Sequence, residues 1–123
     1  MILLEDILLL HKLSIDSFGG SHGIRDSGLL ESAIARPFQS FDGRDLYRSV
    51  FEKAAALAES LIINHPFVDG NKRTGTVAMI AFLQENNLQM TIDQEGLYNF
   101  IVSISTGEIK FEEIVEWLIA NTK

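Results

Sequence analysis

The sequence predicts an all-α protein, a compact helical bundle of about six helices with a short flap or hairpin. Apolar residues recur at three- and four-residue steps along most of the chain, as they do on the buried face of an amphipathic helix. Alternating, strand-like patterns are short and confined to connections. With 123 residues and no internal repeat, the chain suits a single domain, residues 1–123, that buries its own core.

The first predicted helix covers residues 2–18. Its apolar stripe consists of Leu3, Ile7, Leu10 and Leu13, widened by Leu4, Leu8, Leu9, Ile15 and Phe18. His11 lies late in this helix, where positive charge suits the helix dipole, so we expect a surface histidine rather than a catalytic one. The glycine-rich residues 19–23 follow without a preceding strand or a P-loop lysine, so we predict a linker.

Two further helices precede the middle of the chain. The first begins at Asp26 or Ser27, which are both capping residue types, and is stopped by Pro37. Its predicted buried face consists of Leu29, Leu30, Ala33 and Ile34. The second is predicted over residues 44–64, with an apolar stripe that includes Leu46, Val50, Phe51, Ala54, Leu57, Ala58, Leu61 and Ile62.

Residues 38–44 join these two helices. Asp42 and Gly43 supply turn chemistry between aromatic positions, which favours a short flap or hairpin. The alternative is an ordinary connection whose phenylalanines, Phe38 and Phe41, fill the core. The sequence leaves both interpretations open.

The helix predicted over residues 71–86 is apolar on all sides, which is typical of a helix in the middle of a bundle. Small residues of the preceding helix, around Ala54–Ala58, would let the two helices approach closely. Further on, Asp93 is predicted to cap a helix that ends at Gly107. A last helix is predicted to face inward with Phe111, Ile114, Val115, Leu118 and Ile119. Trp117 is interpreted as a packing or interface residue.

Composition excludes several classes of function. The net charge of −7 argues against direct nucleic-acid binding or attraction to an anionic membrane. The absence of cysteine leaves no disulfides and fits a cytoplasmic protein. No apolar run approaches the ~20 residues of a membrane span. The apolar residues 1–4 are followed by Glu5 and Asp6 and lack a basic leader, so we do not expect a signal peptide.

The reactive side chains concentrate in residues 65–74, His-Pro-Phe-Val-Asp-Gly-Asn-Lys-Arg-Thr. Pro66 disfavours helical geometry at His65, so this histidine should lie on a loop, free to accept a proton. A helix beginning near Asn71 would leave its first amides unpaired and form an anion site with the charges of Lys72 and Arg73. A carboxylate beside phosphate implies a divalent cation, so Asp69 predicts Mg²⁺. A bland interpretation, in which His65 caps a helix and Asp69 pairs with Lys72, explains fewer of these residues.

These residues closely resemble the signature of the Fic/Doc superfamily, and residues 23–33 resemble, more loosely, the segment that precedes it. The resemblance implies a helical fold in which the loop and helix cradle the phosphates of a nucleotide. The cradle would consist of the amides of Gly70, Asn71 and Lys72 with the side chains of Asn71, Lys72 and Arg73. Arg25 would line the same cleft, or would form a surface salt bridge instead.

Two departures distinguish the subfamilies. Fic adenylyltransferases carry glycine where this chain has Lys72, and a second arginine where it has Thr76; both changes favour Doc, the death-on-curing toxins. The resemblance to Doc implies ATP with Mg²⁺ as cofactors, and transfer of the terminal phosphoryl group to a threonine of elongation factor Tu. It also implies a Phd-like antitoxin as partner, and in this superfamily residues 38–42 would align the target.

Two alternatives remain from the sequence. The protein could be an adenylyltransferase that uses the same base and metal residues, or a nucleotide- or partner-binding module without turnover. Residues 91–96 also resemble the inhibitory motif of some Fic enzymes. Because the arginine that pairs with that motif is replaced by Thr76, we interpret Glu95 as a first-turn carboxylate that complements the helix dipole.

Overall fold

The computed structural model describes residues 2–123, which form six α-helices, one 3₁₀ turn and two short strands. The helices are α1 (Leu4–Phe18), α2 (Ser27–Ala35), α3 (Val50–Asn64), α4 (Asn71–Glu85), α5 (Gln94–Ser105) and α6 (Phe111–Ala120). The 3₁₀ turn covers Arg36–Phe38, and the strands are β1 (Ser40–Phe41) and β2 (Arg44–Asp45). The predicted all-α class with a hairpin is confirmed. Within residues 2–123, every helix is too short or too polar to cross a bilayer.

Helix α3 lies at the centre of the bundle, in contact with α2, α4, α5 and α6. Its alanines at positions 54–56 and 58 are buried and leave room for close neighbours. The main neighbour is α4, as predicted. At Gly75 the two helices are so close that an added Cβ would lie 2.6 Å from Cγ1 of Ile62.

The prediction that α4 is the buried middle of the bundle was wrong. Helix α4 packs against α3 and α1, but α5 touches it only lightly. The face of α4 that packs against neither α3 nor α1 is therefore partly open to solvent. Val77 is 37% exposed although the residues around it are apolar. Composition alone could not show this, because an apolar side chain on an uncovered face looks the same in sequence as one in the core.

Helix α3 begins at Val50, six residues later than the predicted start at Arg44. Ser49 caps it: its hydroxyl accepts from the amide of Glu52 at 3.0 Å, and the Glu52 carboxylate accepts from the amide of Ser49 at 3.3 Å. Arg44 pairs with Phe41 in the hairpin instead.

The connection at residues 38–45 contains both features that the sequence left open. It is a hairpin, and its turn residues Asp42 (φ 54°) and Gly43 (φ 77°) both adopt the left-handed conformation that tight hairpin turns require. Phe38 fills the core, where its ring packs edge-on against Phe82 at 6.1 Å. Phe41 points outward and is 76% exposed.

The carboxyl-terminal helices largely follow the prediction. Asp93 caps α5 by accepting from the amide of Gly96 at 2.8 Å, and Gly107 follows the helix with φ 76°. Trp117 stacks on Phe100 with ring centroids 3.6 Å apart, which confirms its packing role. Ile119 was expected to face inward but is exposed, since the buried stripe of α6 runs through Ile114 and Leu118.

Candidate active site

The loop between α3 and α4 presents His65 to solvent. Helix α3 ends at Asn64, and His65 follows in the left-handed conformation (φ 49°, ψ 59°). Its side chain is exposed and has no hydrogen-bond partner among residues 2–123, whereas the next two residues, Pro66 and Phe67, are buried. The imidazole is therefore available to an incoming group.

Arg25 holds this loop by its backbone. Its guanidinium donates to the carbonyl oxygens of His65 (2.6 Å) and Asn64 (2.7 Å), which α3 leaves unpaired at its carboxyl end. The amides of Arg25 and Asp26 also donate to the carbonyl of Pro66, at 2.8 and 3.0 Å. Neither of the two roles weighed for Arg25 is found within the described chain: it forms no salt bridge, and it is not among the residues that line the cleft. The residue instead anchors the loop from beneath.

The side chain of Asn71 closes the loop on itself. Its carbonyl oxygen accepts from the amide of Phe67 at 2.9 Å, and its amino group donates to the carbonyl of Phe67 at 3.0 Å. The residue is buried. Both polar groups are thus engaged, and the side chain fixes the loop rather than reaching into the cleft, where a phosphate contact was expected.

The first turn of α4 offers free backbone donors. Gly70, the N-cap residue, has φ 77° and contributes no side chain, and the first amide bonded to its carbonyl is that of Thr74, at 2.9 Å. The amides of Asn71, Lys72 and Arg73 have no acceptor within the described chain. The amide of Gly70, predicted to join the cradle, donates instead to Oδ1 of Asp69 at 2.8 Å. The unpaired amides therefore lie one residue further along than those of the predicted cradle.

The carboxylate of Asp69 is kept ionised by backbone donors. The amide of Ser21 donates to Oδ2 at 3.1 Å, and the amide of Gly70 donates to Oδ1. These two bonds, together with the nearby charge of Arg73, lower the pKa of Asp69 below its usual value. Each oxygen keeps a further lone pair free, as a metal ligand requires.

Asp69 fits a magnesium ion as a single protein ligand. No group of three or more histidine, cysteine or acidic side chains suited to a metal occurs in the part of the chain described. Magnesium in nucleotide sites is commonly held by one or two carboxylates, with phosphate oxygens and waters completing its shell. The donor set is therefore compatible with a cation that arrives with a nucleotide.

The glycine-rich residues 19–23 link α1 to α2, as predicted, and they also contact charged residues of the site. The carbonyl of Gly19 accepts from the Arg73 guanidinium at 2.8 Å. Gly20 passes so close that an added Cβ would lie 2.8 Å from Oδ2 of Asp69 and 3.3 Å from Nη2 of Arg73. The sequence prediction did not include these contacts, because it looked only for a phosphate-binding motif. The density of glycine was itself a signal of close backbone approach.

His11 is buried, which contradicts the predicted surface position. It is 5% exposed, its ring stacks on Phe67 with centroids 3.8 Å apart, and its Nε2 lies 2.8 Å from the carbonyl oxygen of Asp69. The buried face of α1 runs through Ile7, His11 and Ile15, spaced four residues apart, and not through Leu10 and Leu13. Leucines on both sides of this helix concealed which face is buried.

A cleft of about 360 Å³ brings the predicted residues together. It is lined by His65, Val68, Asp69, Gly70, Asn71, Lys72 and Arg73. The Lys72 ammonium has no protein partner among the described residues. An apolar depression of about 310 Å³ between α4 and α5 shares Lys72 and Arg73 with this cleft and includes Tyr98.

The structure also shows the surroundings of Thr76 and Glu95. The hydroxyl of Thr76 donates back to the carbonyl of Lys72 at 2.7 Å, so it brings no charge to the cleft. Glu95 lies exposed in the first turn of α5 and makes no ion pair with a residue of the described chain. The structure thus contains no internal contact of the inhibitory kind between these residues.

Comparison with known proteins identifies the family of the chain. The sequence profile of the Fic/DOC family matches residues 2–83. The chain is 45% identical to the Toxin Doc of Mycolicibacterium smegmatis over 89 residues, which cover 72% of this chain and 66% of that protein. It is 31% identical to the Protein kinase doc of Escherichia phage P1 over 114 residues, covering 93% of this chain and 89% of that protein. The chain therefore belongs to the Fic/DOC family.

Proposed function

We propose that this protein is a Doc-like toxin and protein kinase that transfers the terminal phosphoryl group of ATP to a serine or threonine hydroxyl. One observation carries the proposal: the exposed, unpartnered His65 and the free amides that begin α4 line the same cleft. Phosphoryl transfer needs this pairing of a base and an anion cradle, because positioning and charge stabilisation supply most of its catalysis.

In this proposal the terminal phosphate lies against the amides of Asn71, Lys72 and Arg73. The positive end of the α4 dipole and the Lys72 ammonium stabilise its negative charge. The guanidinium of Arg73 donates one hydrogen bond to the carbonyl of Gly19, and its other N–H groups would bind phosphate oxygens. A magnesium ion held by Asp69 would neutralise further charge on the phosphates.

His65 acts as the general base. It accepts the proton of the target hydroxyl while the hydroxyl oxygen forms its bond to the terminal phosphorus. The bond between that phosphorus and the bridging oxygen breaks, and ADP leaves with the electron pair. The left-handed backbone at His65, fixed by Arg25, keeps the imidazole at the mouth of the cleft.

Two observations favour a kinase over an adenylyltransferase. Lys72 puts a charge into the cleft where adenylyltransferases have glycine, and Thr76 leaves the second arginine position uncharged. The name of the phage relative, Protein kinase doc, agrees. The proposed target is elongation factor Tu in the cytoplasm, whose modification would block translation.

Labelled ATP tests the proposal. Purified elongation factor Tu is incubated with the protein, Mg²⁺ and ATP labelled on either the terminal or the innermost phosphate. Label from the terminal phosphate should appear on the factor, and mass spectrometry should place it on a serine or threonine; the His65→Ala variant should fold and give none. Label from the innermost phosphate would indicate adenylyl transfer instead. ATP binding without any labelled protein in a whole lysate would indicate a binding module.

We further propose that a Phd-like antitoxin restrains the toxin, since Glu95 forms no inhibitory contact in the described chain. The apolar depression between α4 and α5 adjoins the cations of the cleft, so an amphipathic segment there would also reach Lys72 and Arg73. Tyr98→Asp should abolish rescue of growth by the co-expressed antitoxin while the toxin stays lethal. Ile119→Asp, an exposed position on α6, should leave rescue intact.

A further inference from the structure

We propose that His11 is a positioning residue that orients the peptide group joining Asp69 to Gly70, and through it the Asp69 carboxylate. His11 lies on α1, outside the residues to which the transfer chemistry assigns a role. Its consequence for activity rests on the proposed function, but its effect on the loop does not.

The direction of the hydrogen bond follows from its acceptor. Nε2 of His11 lies 2.8 Å from the carbonyl oxygen of Asp69, and a carbonyl oxygen can only accept. Nε2 must therefore carry a hydrogen. The ring cannot turn away, because it is buried and lies parallel to the Phe67 ring, with 6° between the planes.

The peptide geometry carries the effect to the carboxylate. In a trans peptide the C=O and N–H groups are fixed in one plane and point in opposite directions. Holding the Asp69 carbonyl towards α1 therefore directs the Gly70 N–H away from α1, where it donates to Oδ1 of Asp69 at 2.8 Å. The hydrogen bond from His11 thus fixes the direction of the Gly70 N–H, which donates to Asp69, the proposed metal ligand.

The surroundings leave this peptide group little freedom to move towards α1. A Cβ added at Gly70 would lie 3.0 Å from Cδ1 of Ile15 and 3.7 Å from Nε2 of His11. On the other side, Ser21 holds Oδ2 of Asp69 at 3.1 Å. Asp69 is therefore bound at two places: His11 of α1 bonds to its backbone carbonyl, and Ser21 of the following loop bonds to its carboxylate.

Two substitutions separate the hydrogen bond from the packing. His11→Leu fills the buried space but removes the donor, whereas His11→Gln retains an N–H donor of similar reach. Leu9→Gln is the control, because Leu9 lies on the same helix as His11 but is 55% exposed. Thermal unfolding identifies any variant that fails to fold.

The first measurement is hydrogen exchange of the Gly70 amide by NMR, which needs no nucleotide or metal. We expect exchange about tenfold faster or more in His11→Leu, near wild-type exchange in His11→Gln, and no change in Leu9→Gln. The second measurement is phosphoryl transfer against Mg²⁺ concentration. His11→Leu should need several-fold more Mg²⁺ for half-maximal rate, and His11→Gln should restore the wild-type requirement.

Unchanged Gly70 exchange in a folded His11→Leu would overturn the proposal, and so would equal acceleration in His11→Leu and His11→Gln. Exchange that changes as expected while wild-type protein transfers no phosphoryl group would uphold the positioning role and reject the proposed function. Changed exchange with an unaltered Mg²⁺ requirement in an active enzyme would overturn the link to the carboxylate.

Discussion

His65 occupies a backbone conformation that is unfavourable for a residue with a Cβ. The left-handed region costs such a residue about 1–2 kcal/mol, so it persists only where neighbouring groups hold it. Arg25 supplies the restraint, since its guanidinium binds the carbonyl oxygens of Asn64 and His65. The position of His65, the proposed base, therefore depends on the side chain of Arg25, which lies just before α2.

Arg25→Ala should lower the free energy of unfolding by about 1 kcal/mol, because two carbonyl oxygens lose a charged donor at an exposed site. It should also reduce the proposed transfer rate by about tenfold or more, since His65 loses its fixed position. Urea unfolding and the labelled-ATP assay measure the two effects. Arg48→Ala, at an exposed arginine before α3, serves as the control. Full activity in Arg25→Ala would show that the loop keeps its shape without the anchor.

Asp69 should contribute to stability in a pH-dependent way. The Ser21 and Gly70 amides lower the pKa of Asp69 in the folded protein below its usual value of 3.8. A carboxylate with a lowered folded pKa stabilises the fold fully above its unfolded pKa and loses that contribution as pH falls through the folded pKa. The wild type should therefore have a higher free energy of unfolding than Asp69→Asn at neutral pH. This difference should shrink as the pH falls below the usual pKa of an aspartate. A difference that is constant down to acid pH would contradict this.

At the scale of elements, the loop after α1 and the start of α4 form one unit. Gly19 binds Arg73, Ser21 binds Asp69, and the amide of Val68 donates to the carbonyl of Gly23 at 3.0 Å. The charged side chains of Arg73 and Asp69 are thus bound by uncharged backbone groups of Gly19 and Ser21. Gly20 can approach Asp69 and Arg73 this closely only because it lacks a side chain.

Gly20→Ala and Gly19→Ala should differ sharply, although both glycines have positive φ. At Gly20 an added Cβ meets Asp69 and Arg73, whereas at Gly19 it meets no atom within 4 Å. We expect both variants to show similar backbone strain in thermal unfolding. Only Gly20→Ala should lose activity, by about tenfold or more, because it displaces the carboxylate and the guanidinium. Equal activity in the two variants would mean that strain alone matters.

At the scale of the whole molecule, α3 is the central support of the bundle, and the cleft lies where its carboxyl end meets the amino end of α4. These helices approach each other closely at Gly75, against the buried side chain of Ile62. Helix propensity favours alanine over glycine by ~1 kcal/mol, but overpacking a core typically costs ~1–3 kcal/mol. The clash should outweigh the propensity gain.

Gly75→Ala should therefore destabilise the protein by about 1 kcal/mol, measured by urea unfolding. Ile62→Ala removes the clashing Cγ1, so in that background Gly75→Ala should cost less or become stabilising. The double-mutant cycle gives the coupling between the two positions directly. A penalty that is equal in both backgrounds would place its origin elsewhere.

The sequence determined the features that neighbouring residues build together. Residues 65–74 carry the base, the carboxylate and the cations in one short stretch, and Pro66 and Gly70 prescribe the turn between two helices. Capping residues such as Asp26 and Asp93 likewise act over three positions, so helix starts at these residues were predictable. The predicted start of α3 at Arg44 was wrong because it followed the apolar pattern and did not use Ser49 as a capping residue.

The tertiary structure decided which distant residues reach the loop. His11, Gly20 and Arg25 contact residues 64–73 from another part of the chain. The hydrogen bonds of His11 and Arg25 join residues that are 39 to 58 positions apart. Periodicity could not identify them: leucines surround His11 on α1, so burial of the histidine face depends on where α4 packs. For the same reason the apolar side of α4 looked buried, although α5 leaves it open. A local pattern specifies an element and its ends, but only the packing of elements determines which face is covered.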